Sequence, residues 1–147
     1  MREILFRGKR VDTGEWVEGQ YYKRTHFYGD QSIKHYIITS DEDLGYDQAL
    51  EYYEVIPRTV GQFICLLDKN GKKIFERDII RASIDWCGDG FYEEGTLTVW
   101  YDKRVVGFDI SGIDMNTVEV IGNNIDNPEL IGELDLIWEP ELLEESK

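Results

Sequence analysis

The sequence predicts a mainly β protein: N-terminal antiparallel strands, then a small barrel or roll, then a short C-terminal helix and a tail. Three observations carry that prediction. Short extended runs recur at intervals of about 8–12 residues with turn residues between them. Asn70-Gly71 stands between two apolar runs, a strong short-range hairpin signal. Apolar spacing of helical period is nearly absent before residue 127.

The elements follow in order. Residues 4–9 and 16–22 read as two strands joined by a turn at Val11-Asp12-Thr13-Gly14, and so as a hairpin. Gly8 and Gly19 interrupt these strands, which predicts bulges or close backbone approach. Residues 23–32 are polar and read as a loop, and Ile33 to Thr39 returns to strand. An acidic loop over 41–47 leads to an extended run ending at Ile56, which Pro57 holds out of the helical region. Residues 59–66, 74–75 and 78–84 are strands around the Asn-Gly turn. Period-two alternation in Thr96-Leu97-Thr98-Val99-Trp100-Tyr101 places Leu97, Val99 and Tyr101 on one face. Residues 106–110 pair back, and 118–122 close the set. Asn127 as an N-cap before Pro128, with Glu129 in the first turn, predicts a helix of one or two turns that Gly132 stops. The organisation expected is a β segment over 1–58, a barrel with its terminal helix over 59–131, and a tail over 132–147.

Composition bounds the function class. With 147 residues, 41% apolar and 13% aromatic, the chain can form a core and is not disordered. Two cysteines exclude a disulfide scaffold. No apolar run approaches the ~18 residues of a membrane span. The charged start Met1-Arg2-Glu3-Ile4-Leu5-Phe6-Arg7 does not read as a signal peptide, so a soluble cytoplasmic protein with no membrane partner is expected. The net charge of −14 is uneven: +2 over residues 1–40, −4 over 41–80, −5 over 81–125 and −7 over 126–147. Such a field disfavours direct nucleic-acid binding. It admits an acidic decoy that imitates a nucleic acid in the basic groove of another protein.

Two segments carry a family resemblance. Thr59-Val60-Gly61-Gln62-Phe63 with Leu67-Asp68-Lys69-Asn70-Gly71-Lys72-Lys73-Ile74-Phe75-Glu76-Arg77-Asp78-Ile79-Ile80 resembles the central motif of the YopX family. Val118-Glu119-Val120-Ile121-Gly122-Asn123, followed by Asn127-Pro128-Glu129-Leu130-Ile131, resembles its closing motif. Phe6-Arg7-Gly8-Lys9 and Gly14-Glu15-Trp16-Val17-Glu18-Gly19 are similar to its N-terminal segment, in the same order. The resemblance implies a phage or prophage protein acting in a bacterial host, an SH3-like barrel in the C-terminal half, and oligomers in some members. It implies no activity and supplies no catalytic or binding residue. Two departures stand out: the family usually has Gly where this chain has Arg77, and residues 134–147 extend past the usual family end.

Asp41, Glu42, Asp43 and Asp47 lack the order of a calcium loop and read as a solvated acidic loop, as do Asp85, Asp89, Glu93 and Glu94 around Gly88-Asp89-Gly90. His26 and His35 with Asp30 would need a hairpin to meet on a metal and read as surface residues. Cys65, inside Phe63-Ile64-Cys65-Leu66-Leu67, reads as a buried apolar thiol, and Cys87 as a loop residue without an activating neighbour. No serine sits in a nucleophile elbow and no glycine loop cradles phosphate. No catalytic, metal or cofactor-binding residue is therefore nominated. Adjacent strand residues point to opposite faces, so one member each of Tyr21/Tyr22, Tyr52/Tyr53 and Trp100/Tyr101 should leave the core, where several together would make an interface. Leu136, Ile137, Trp138, Leu142 and Leu143 are too apolar to stay in water and should dock on their own barrel or on a neighbouring subunit. The reading is a non-enzymatic, homo-oligomeric binding protein, with the acidic decoy of a host DNA- or RNA-handling protein as the alternative.

Overall fold

A computed structural model describes residues 1–25, 29, 32–39 and 51–131. The described elements are almost all strands, in antiparallel pairs. Among the described residues no helix is long and apolar enough to cross a membrane. The chain divides into two units, Met1–Phe63 and Ile64–Lys147.

The first unit contains β1 (Phe6–Lys9), β2 (Trp16–Thr25), β3 (Ile33–Thr39), β4 (Glu51–Glu54) and the opening residues of β5 (Gly61–Leu67). Their spatial order is β4-β3-β2-β1-β5. The N-terminal hairpin forms as its sequence predicts, with Phe6 opposite Gly19 and Lys9 opposite Trp16. Both interrupting glycines mark close approaches. A Cβ on Gly8 would lie 3.0 Å from Cβ of Val55, and one on Gly19 would lie 2.1 Å from the Ile38 carbonyl oxygen. Ile37 and Val55 are fully buried on this inner side. A 3-10 turn over Pro57–Thr59 precedes β5, and its buried Thr59 hydroxyl donates to Ile56 O and accepts from Lys9 N. That leaves the buried hydroxyl satisfied on both counts.

The second unit contains the rest of β5, then β6 (Lys73–Phe75), β7 (Asp78–Ile84), β8 (Glu93–Thr98), β9 (Tyr101–Asp102), β10 (Gly107–Phe108) and β11 (Glu119–Asn123). Its core is Ile64, Ile74, Ile80, Ala82, Ile84, Val99 and Val118. β7 lies between β11 and β8. Two aspartates organise its turns. Asp68, 7% exposed, accepts from Asn70 N and Lys72 N through one carboxylate oxygen and from Val120 N through the other. Lys69 N donates to Val118 O beside it. The Asn-Gly turn is thus tied to β11, which brings the two halves of the sequence motif together. Asp78, 1% exposed, accepts from Phe75 N across the turn between β6 and β7.

The structure departs from expectation in four places. The strands of the second unit do not close into an SH3-like barrel among the described residues; they remain separate ladders of β5-β6, β9-β10 and β11-β7-β8. The physical reason lies after Thr98, where β8 ends and the chain forms only two-residue strands around Val106, whose φ is 53°. That break also turns Tyr101 outward, away from buried Val99. The C-terminal helix is a single 3-10 turn, Pro128–Leu130. Asn127 does not cap it, because its carboxamide oxygen accepts from Asn123 N instead. Cys65 is half-buried rather than buried, at a left-handed φ of 66° within β5.

Arg77 also has a positive φ, 74°, a left-handed backbone that favours Gly but is occupied here by a residue with a side chain. Its guanidinium lies 5.4 Å from the centre of the Trp100 ring. Arg77→Gly is expected to be more stable than Arg77→Ala by about 1 kcal/mol, since both lose the Trp100 contact and only Ala retains the strain. Coincident urea midpoints for the two variants would show the turn to be unstrained.

Candidate functional site

The first unit presents one open sheet face. Alternation in β2 puts Trp16, Glu18, Gln20, Tyr22 and Arg24 on a single side. The register adds Lys9 opposite Trp16, Arg7 opposite Glu18, Ile38 opposite Gln20, Tyr36 opposite Tyr22, and Lys34 opposite Arg24. β4 extends this side with Tyr52 opposite Ile38 and Glu54 opposite Tyr36. Tyr22 is 49% exposed and Tyr52 66%. Tyr36 and Tyr52 meet edge to face at 5.8 Å. Trp16 has Arg7 over its ring at 4.6 Å and Lys9 at 5.7 Å, the geometry of cation–π contact. Lys34 and Glu54 lie 3.7 Å apart.

The opposite side of the same strands faces inward. Tyr21 stacks near Phe6 and His35, and its hydroxyl is hydrogen-bonded to His35 Nδ1. Burial pushes the Tyr21 phenol up, and burial with nearby Lys23 holds the His35 imidazole down. The adjacent tyrosines therefore divide as alternation requires, Tyr22 and Tyr52 exposed and Tyr21 and Tyr53 half-buried, whereas exposed Tyr101 and half-buried Trp100 follow the break after Thr98.

The second unit offers two lesser surfaces. Exposed Trp86, Phe91 and Tyr92 flank a loop held by the Asp85 carboxylate, which accepts from Gly88 N, Asp89 N and Gly90 N. Those N–H donors, Gly90's first, keep the Asp85 carboxyl below its ordinary range. Its oxygens are thereby turned to the loop itself. A shallow groove of about 620 Å³ is lined by Lys69, Arg81, Ser83, Glu94, Thr117 and Glu119. Glu119 lies 2.9 Å from Arg81 and 3.4 Å from Lys69. Its hydrogen bonds to Arg81 and Lys69 lower its carboxyl pKa.

The remaining sequence candidates distribute as follows. Leu136, Ile137, Trp138, Leu142 and Leu143 lie outside the described residues, as do His26, Asp30, Asp41, Glu42, Asp43 and Asp47. Cys87 is exposed. Among the described residues no three His, Cys, Asp or Glu side chains form a group able to hold a metal ion. Sequence reading singled out the tyrosines individually but missed the face they share. The signal was present in the even positions of residues 16–24; what was missing was the register of β3 across the intervening loop.

Comparisons with known proteins agree with the motifs. The family model described as YopX protein matches residues 5–132. No curated protein matches the chain. The crystal structure of protein EF1440 from Enterococcus faecalis is similar in fold, with a TM-score of 0.50 at 18% identity, covering 90% of this chain and 100% of that one.

Proposed function

We propose that this chain, which belongs to the YopX family, is a non-enzymatic binding protein of the bacterial cytoplasm that associates with copies of itself. The supporting observation is the open sheet face, where Trp16, Tyr22, Tyr36, Ile38 and Tyr52 are flanked by arginine and lysine. Tyrosine, tryptophan and arginine are the side chains enriched where proteins meet, because each combines apolar area with a polar tip. The charged groups of the second unit support a non-catalytic reading: Glu119 is matched by Arg81 and Lys69, and Asp85 by backbone N–H groups. The acidic-decoy reading rests on the net charge of −14. Asp12, Glu54, Asp102 and Glu119 each lie within ion-pair distance of an arginine or lysine, so the described surface is mixed in sign, which favours self-association.

Sedimentation equilibrium tests the proposal. The expected outcome is a mass above the 17.2 kDa of one chain that falls towards it on dilution. A mass of one chain at every concentration would rule it out.

A further inference from the structure

The sheet face has a sign as well as aromatic rings. Arg7 and Lys9 stand at one end beside Trp16, Arg24 and Lys34 stand at the other, and Glu18 and Glu54 are its acids. The face is therefore net basic in a chain of net charge −14. A fitting occupant is apolar where the rings are and acidic around them. The chain's own residues 132–147 have that composition: Leu134, Leu136, Ile137, Trp138, Leu142 and Leu143 interleaved with Glu133, Asp135, Glu139, Glu141, Glu144 and Glu145. Sixteen residues of extended chain reach up to about 55 Å. The ten-residue β2 spans about 33 Å, so the segment is long enough to cover the face.

We propose that residues 132–147 of one copy dock on the Trp16–Tyr22–Tyr36–Tyr52 sheet face of a second copy. This rests on the self-association reading and names the contact that produces it. The segment's leucines and Trp138 match the rings of that face in character, and its carboxylates match Arg7, Lys9, Arg24 and Lys34 in charge. A single-stranded nucleic acid would also stack on such rings, but its phosphates would approach against the negative field of the whole molecule.

Two full-length variants test the contact by complementation. Trp138→Asp alters the segment. Tyr22→Glu with Tyr52→Ser alters the face at positions that are 49% and 66% exposed, so the core is untouched. Each variant alone is expected to associate about thirty-fold more weakly than the wild type, the loss typical of a central aromatic anchor. An equimolar mixture is expected to regain association, because the intact segment of one variant meets the intact face of the other. Near-UV circular dichroism confirms that each variant is folded. As a second measurement, a synthetic peptide of residues 132–147 in excess should dissociate the wild type. If the face variant weakens association and the segment variant does not, self-association stands and the docked segment is wrong. If both weaken it and the mixture stays apart, the segment docks within its own copy, and the proposal falls. A wild type that never associates removes both readings. Binding of a fluorescent oligothymidylate that Tyr22→Glu abolishes would assign the face to nucleic acid and overturn the proposal.

Discussion

Asp68→Ala should destabilise the protein by about 3 kcal/mol, the loss of three charge-assisted hydrogen bonds partly offset by water entering the turn. The carboxylate is 7% exposed and serves Asn70 N and Lys72 N within the turn and Val120 N on β11. Removing it opens both the Asn-Gly turn and its attachment to the sheet. Asp68→Asn should cost less, since the amide oxygen still accepts from the turn, but its NH2 then faces the Val120 N–H, donor against donor. The same group gives stability an acid limb. Burial alone would raise the Asp68 carboxyl, but the N–H groups of Val120, Lys72 and Asn70 together hold it below its ordinary value. A carboxyl lowered in the folded state stabilises fully above its unfolded pKa of about 3.9. That contribution fades as pH falls below this value and is gone below the folded pKa. Urea melts at pH 7 and pH 3 should converge more closely for Asp68→Asn than for the wild type. A neutral Asp68→Ala, or an unchanged acid limb, would refute this role.

Gly19→Ala should cost about 3 kcal/mol, at the upper end for overpacking, because the obstacle is backbone. The added methyl would lie 2.1 Å from Ile38 O and 2.8 Å from Ile38 C, and neither atom can rotate away. Relief requires β2 and β3 to separate, which disrupts pairing from Gln20–Ile38 to Thr25–Ile33. The aromatic face is built on that pairing, so self-association should fail with it. Gly8→Ala is the comparison: its methyl meets the Val55 side chain at 3.0–3.2 Å, and a cost of about 1 kcal/mol is expected. Equal urea midpoints for the two variants would show that the backbone contact is not decisive.

The contrast between these residues shows what sequence reveals here. Turn chemistry is local, so the Asn70-Gly71 hairpin was legible, and glycines inside strands announced close approaches before their neighbours were known. Alternation sorted Tyr21 from Tyr22 and Tyr52 from Tyr53. Long-range pairing was hidden. The bond from Val120 N to Asp68 joins residues 52 apart, and the irregular register between Val120 and Gly122 has no local signature. Asn127 fits an N-cap by position, but Gly122 brings the backbone beneath it, and its carboxamide turns back to Asn123. The short ladders after Thr98 depend on Val106 adopting a backbone geometry that Val rarely occupies, which spacing alone cannot foresee.

Hydroxyl-radical footprinting of the wild type at low and high protein concentration tests most directly whether the open sheet face is a self-binding surface. Tyr22 and Tyr52 should oxidise several-fold more slowly at high concentration, while exposed Tyr101 in the second unit keeps its rate and serves as the internal reference. Oxidation of Tyr22 and Tyr52 at the same rate across a concentration range in which the protein demonstrably associates would contradict it.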